Sequence, residues 1–153
     1  MKAAITASST EYLTAVLDAC RPIWETIPEQ DRKTLSWTNP IVREMGRAGA
    51  AAIAPESISD KCRAIRFLES AGNFAQEFTF ESCALDFTAY TMEEDLRTTE
   101  ANDAPDALSR TCFLKREISD GATPDTNNLV EYLASIHSDW MKFAMPDFAA
   151  AAD

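Results

Sequence analysis

Glycine, histidine and basic residues are scarce in this chain, and each scarcity removes a class of function. Only four glycines occur in 153 residues, at Gly46, Gly49, Gly72 and Gly121. Neither a phosphate-binding P-loop nor a dinucleotide fingerprint can be built from them, because both crowd glycines into one short turn. Histidine occurs once, at His137. A histidine-based zinc site needs more than one, or a close set of cysteines and carboxylates. The 14 Lys and Arg face 25 Asp and Glu, leaving a net charge of -11 and a pI near 4.5. Nucleic-acid backbones and anionic membrane surfaces are gripped by Lys and Arg, so direct binding to either is disfavoured.

Long apolar runs are missing as well. The nearest candidate, Ala48 to Ala54, stops at Pro55 and falls far short of the roughly 20 residues a membrane span requires. Cysteines stand at Cys20, Cys62, Cys83 and Cys112, with no Cys-x-x-Cys pair for redox or zinc chemistry. The opening stretch Met1 to Thr10 has no sustained apolar core of the signal-peptide kind, and no Asn-x-Ser/Thr sequon occurs. These features predict a cytoplasmic protein with four reduced thiols, mostly buried, since free cysteine usually packs as a small core residue.

What is present reads as helix. Hydrophobic residues make up 46% and charged residues 25%, which is enough to bury a core without disulfides or metal. Ser8, Ser9 and Thr10 offer caps before Tyr12, Leu13, Val16, Leu17 and Cys20, spaced along one helix face, with Pro22 as the expected stop. Ile27 to Asp31 has the proline and acids of a helix start. Asn39-Pro40 predicts another cap, before Ile41, Met45, Ala48 and Ala52, and Pro55 closes that helix. A fourth runs through Ile58, Cys62, Ile65 and Leu68 to a left-handed cap at Gly72-Asn73.

From Phe74 onward the sequence allows two structures. Phe78, Phe80 and the threonines suit a strand, while Leu85, Ala89, Met92 and Leu96 keep helical spacing, with Phe74 and Phe78 extending it backward. Helix is the favoured reading, and a short β-hairpin near 75–87 competes. Ala101 to Pro105 is a loop that starts a helix carrying Leu108, Cys112 and Ile118, ending near Gly121. Thr123 to Thr126 caps the last long helix, whose expected core face is Leu129, Leu133, Ile136 and Trp140, with Pro146 as its break. No internal repeat appears. The expected fold is all-α, a single helical bundle domain of about five to seven helices over 1–148, with a flexible tail over 149–153.

Few constellations point to chemistry. His137 lies beside the predicted apolar stripe, where a partly buried, satisfied side chain is the plain expectation. A Cys–His enzyme would require it to meet a cysteine in space. Gly46-Arg47-Ala48-Gly49 has the Gly-x-x-Gly outline of nucleic-acid-gripping KH loops, but the alanines after it point to close helix packing. No residues single out a metal or a cofactor.

Acidity concentrates in Glu81, Asp86, Glu93, Glu94, Asp95, Glu100, Asp103 and Asp106, opposed only by Arg97. A solvated helix face explains such a run, and so does a row of charges that imitates a nucleic-acid backbone and fills a basic groove on a partner. The segment from Trp140 to Phe148 includes Trp140, Phe143 and Phe148. Buried, it docks the final helix; exposed, it is a helix-in-groove anchor or a homodimer surface. Trp24, Trp37, Phe67, Phe74, Phe78 and Phe87 read as core. The functional expectation is a non-enzymatic, acidic regulator or inhibitor of a protein partner with a basic surface, using those carboxylates and aromatics. The alternatives are a helical domain holding a small ligand in an aromatic-lined cavity, and a Cys/His-dependent enzyme.

Overall fold

The computed structural model describes residues 9–121 and 125–144. The architecture is an all-α helical bundle. Among the described residues there are six α-helices and no strand: α1 (Ser9–Glu25), α2 (Pro40–Ile53), α3 (Ile58–Phe74), α4 (Phe80–Thr98), α5 (Ala104–Ser119) and α6 (Thr126–Asp139). A π-helical turn, Trp140–Ala144, continues α6. The chain forms two compact units, 1–56 with 63–93, and 57–62 with 94–153. Pro146, Phe148 and the tail over 149–153 lie outside the described residues.

The first unit is built on apolar stripes at helical spacing. Along α1, Tyr12, Val16, Cys20 and Trp24 recur every fourth residue and all are buried. Pro22 does not end α1, contrary to the sequence reading. Its ring removes one backbone hydrogen bond, but Pro22 is exposed, so water solvates the freed carbonyl while Trp24 stays anchored against Phe80, 5.7 Å away. The expected helix after Pro28 is only a 3-10 turn over Glu29–Asp31, with no buried residue to hold a longer one.

Helix α2 starts as its sequence indicates: Asn39 Oδ1 accepts from the Ile41 amide at 3.0 Å, and Pro40 sits in the first turn. It buries Val42, Met45, Gly46, Gly49 and Ile53, so its inner face is turned from the Ile41/Ala48/Ala52 stripe and shares only Met45 with it. The two glycines cause that choice. A Cβ on Gly46 would lie 2.6 Å from the Phe87 carbonyl oxygen, and one on Gly49 would overlap the Thr88 hydroxyl. The Gly-x-x-Gly element is thus a close crossing of α2 on α4 backbone.

Helices α3 and α4 bury the stripes expected of them, Ile58, Cys62, Ile65 and Leu68 on one and Leu85, Ala89, Met92 and Leu96 on the other. The join between them differs from expectation. Gly72 is not a left-handed cap; it is buried inside α3, with Asp86 Oδ1 2.5 Å from where its Cβ would sit. The helix runs on to Phe74, and the chain turns at Phe78, which takes φ 63. Thr79 then starts α4, its hydroxyl accepting from the Ser82 amide at 3.3 Å. Phe74 and Phe78 are exposed rather than core, because the break places them outside both stripes. The competing hairpin over 75–87 is absent, since Phe80 onward is helical.

In the second unit the expected inner faces of α5 and α6 are both rotated. Helix α5 buries Asp106, Ala107, Arg110, Phe113 and Leu114, while Leu108, Cys112 and Ile118 are exposed. Helix α6 buries Tyr132 and Asp139, with Leu129 and Ile136 half-buried. Leu133 and Trp140 face solvent. The cause is a buried ion pair: Arg110 and Asp139 pull their own faces inward, and the neighbouring leucines are turned out.

Candidate functional site

Each unit carries part of the acidic run. In the first unit, Glu81 is exposed and Asp86 half-buried. Burial raises Asp86 above the usual carboxylate range, partly offset by the Ser82 hydroxyl, which donates to Asp86 Oδ2 at 3.4 Å. Glu93 is half-buried near Tyr90, and together with Asp86 and Glu69 it raises the Tyr90 hydroxyl, after the larger effect of burial.

In the second unit most of the carboxylates have structural duties. Asp103 caps α5, accepting from the Asp106 amide at 2.8 Å. Asp106 is buried and closes the start of α3, accepting from the Ser59 amide at 3.2 Å and its hydroxyl at 3.0 Å. Asp95 pairs with Lys61, and Glu100 pairs with Lys142 at 3.0 Å. Glu94 is exposed. Consecutive helix positions point about 100° apart, so Glu93, Glu94 and Asp95 fan around α4 rather than sharing one face.

Of the three aromatics named from the sequence, Trp140 and Phe143 line one groove. Trp140 and Phe143, one on the end of α6 and one in the π-helical turn, meet Ala104, Ala107, Leu108 and Thr111 of α5 around an open groove of about 240 Å3. Leu108 is 62% exposed and Trp140 53%, so the groove is rimmed by large apolar side chains that the fold leaves in water. Val130 and Leu133 extend this surface along α6. At 100° per residue, positions 130, 133, 137 and 140 fall on one strip, and that strip carries no carboxylate. Phe148 lies outside the described residues.

Under the groove lies the feature that sequence reading missed. Arg110 is 1% exposed and Asp139 is also buried. Arg110 Nε and Asp139 Oδ2 stand 3.2 Å apart, aligned so that neither is hydrogen-bonded. The Arg110 guanidinium donates to the Leu96 carbonyl at 3.2 Å and to that of Thr99, satisfying acceptors left open at the end of α4. Ser135 donates to the Arg97 carbonyl of the same helix end. Burial raises Asp139, with Arg110 and then Lys142 pulling it back. A lone Arg among apolar residues gives no sequence signal for such burial, because Arg is mostly a surface residue.

The thiols are placed as core, with one exception. Cys20 donates to the Met45 carbonyl at 3.4 Å, and burial raises its pKa. Burial, with Asp86 beside it, pushes Cys83 up to about 11. Such thiols stay protonated and unreactive at neutral pH. Cys112 is exposed, and His137 is exposed rather than partly buried. Among the described residues no three His, Cys, Asp or Glu side chains gather as metal ligands, and no helix is long and apolar enough to cross a membrane.

Neither protein-family models, curated proteins nor solved structures show a match to this chain.

Proposed function

We propose that this chain is a protein-binding regulator whose second unit docks a cationic amphipathic helix of its partner. The carrying observation is the apolar groove rimmed by exposed Leu108 and Trp140. Its 240 Å3 is below the roughly 300–1,000 Å3 of small-molecule sites, and suits one or two partner side chains. Trp140 supplies the large, two-torsion aromatic that dominates such contacts. The strip through Val130 and Leu133 gives a helix-length apolar track leading to the groove. The partner's charge follows from electrostatics: the second unit holds the larger share of the net charge of -11. A basic helix is drawn to it and an acidic one repelled. The inhibitor that copies a nucleic-acid backbone draws less support, because Asp103 and Asp106 are engaged in capping and Glu93 to Asp95 diverge.

The test is titration of isotope-labelled protein with a short amphipathic Leu/Lys helical peptide, and with polylysine of equal charge. Shifts centred on Leu108, Trp140 and Phe143 for the first peptide alone, lost by about tenfold or more in Trp140→Ala, are the expected result. Equal binding of polylysine, or shifts elsewhere, would sink the proposal. Concentration-dependent mass without peptide would instead assign the surface to a second copy of the chain.

A further inference from the structure

The link between α3 and α4 holds two large apolar rings in water. Phe74, the last residue of α3, is 89% exposed, and Phe78, in the turn that follows, is 59% exposed. Among the described residues neither ring meets another aromatic or a cation. Phe80, two residues on, shows the alternative: it is buried, with Trp24 beside it and Arg21 over its ring. Apolar residues scattered singly over a surface are ordinary. Phe78 differs from those, because its backbone also takes φ 63.

The turn runs from Gln76 to Thr79, whose amide donates to the Gln76 carbonyl at 3.3 Å. Phe78 stands at its third position, where a positive φ favours glycine or asparagine. A bulky residue there strains the backbone, and the exposed ring gains little burial in return. The Thr79 hydroxyl holds the turn shut by donating to the Gln76 carbonyl at 2.6 Å, and the Ala75 amide donates to the Gly72 carbonyl at 3.1 Å, fastening the end of α3. The two rings are thus presented on a fixed support, which lowers the entropic cost of docking them. A strained residue that the fold does not use points to a role outside it.

Charge indicates the occupant. No Lys or Arg occurs between Arg66 and Arg97. Glu77, beside Phe78 in the turn, and Glu81, in the first turn of α4, are exposed, and among the described residues neither side chain has an ion pair or a hydrogen bond. Both are available to cations of a partner. The same charges resist an anionic membrane surface and would face their own copies in a tip-to-tip dimer. We propose that Phe74 and Phe78 dock into an apolar pocket, rimmed by Lys or Arg, on a second protein. This site lies in the first unit and does not rest on the groove of the second.

Two readouts test it. Phe74→Ser combined with Phe78→Asn, the latter residue accepting the left-handed conformation, should leave the urea midpoint of the chain unchanged or raise it. A lower midpoint would show that the rings serve the fold and would overturn the proposal. For docking, a photo-crosslinking phenylalanine analogue replaces Phe74 in cells of the native host. The expected adduct is a single basic protein which, once purified, binds the Phe78→Asn chain about tenfold or more weakly than the parent. Glu77→Gln with Glu81→Gln should slow its association and flatten the salt dependence, while Leu108→Asp, a groove variant, should leave binding unchanged. Absence of an adduct, an adduct with a second copy of the chain, a partner indifferent to Phe78→Asn, or pelleting of the parent with phosphatidylcholine–phosphatidylserine vesicles would each overturn the assignment.

Discussion

Arg110 shows how much one side chain decides. Its charge is fully buried, and it is balanced by Asp139 and by two carbonyl acceptors at the end of α4. Removing one partner of a buried pair leaves the other uncompensated, so Arg110→Ala should destabilise by about 3–5 kcal/mol in urea unfolding. Replacing both together, as Arg110→Met with Asp139→Leu, should recover most of that loss, because two apolar groups need no charge partner. If the double variant is no better than Arg110→Ala, the pair is not the source of the effect.

Asp86 makes the opposite point. Its pKa is higher in the folded chain than in the unfolded one, because burial disfavours the charge. The fold is therefore stabilised relative to its ionised form below the ordinary carboxylate pKa, about 3.9, and loses that contribution as pH rises through the raised folded value. Asp86→Asn should be more stable than the parent at neutral pH, with the gap closing as the solution is acidified. A gap that is constant or widens on acidification would show that the ionised carboxylate is not disfavoured.

At the scale of elements, boundaries and faces obey different rules. Boundaries follow local chemistry: Asn39, Asp103 and Asp125 all accept from amides of the helices they precede. The end of α2 is less well served, since Ala54 adopts φ 33, ψ 57 as its cap. A left-handed backbone strains an L-residue, and Ala54 is exposed, so glycine would lose no packing there. Ala54→Gly should raise stability by about 0.5–1 kcal/mol, read as a higher denaturation midpoint at unchanged slope. Faces follow tertiary partners instead. The Leu129/Leu133/Ile136/Trp140 pattern on α6 is a sound apolar stripe, yet half of it faces water because Asp139, flanking the stripe on the Ile136 side, is held by Arg110.

For the whole molecule, the net charge of -11 is the dominant electrostatic fact. Exposed pairs such as Arg97–Glu131 and Lys142–Glu100 are each worth about 0–1 kcal/mol and offset little of the self-repulsion. Raising ionic strength from about 0.01 to 0.15 M shortens the Debye length from roughly 30 to 8 Å. The melting temperature should therefore climb by a few degrees over that range, since screening relieves repulsion more than it weakens those few pairs. A fall in melting temperature would mean that the ion pairs outweigh the net charge.

Sequence alone determined the all-helical class, the cap at Asn39, and the buried stripes of α1, α3 and α4, because helix periodicity and capping are local physics read within a few residues. It also brought Trp140 and Phe143 into the candidate surface on composition. Only the tertiary structure decided which way α5 and α6 face, because that depends on one charged pair 29 positions apart in the chain, Arg110 with Asp139. The same pairing turned Leu108 outward to complete the groove. An aromatic cluster of Trp37, Phe87 and Tyr90 was equally illegible, since it joins α4 to a loop residue about fifty positions earlier through contacts that no local pattern encodes.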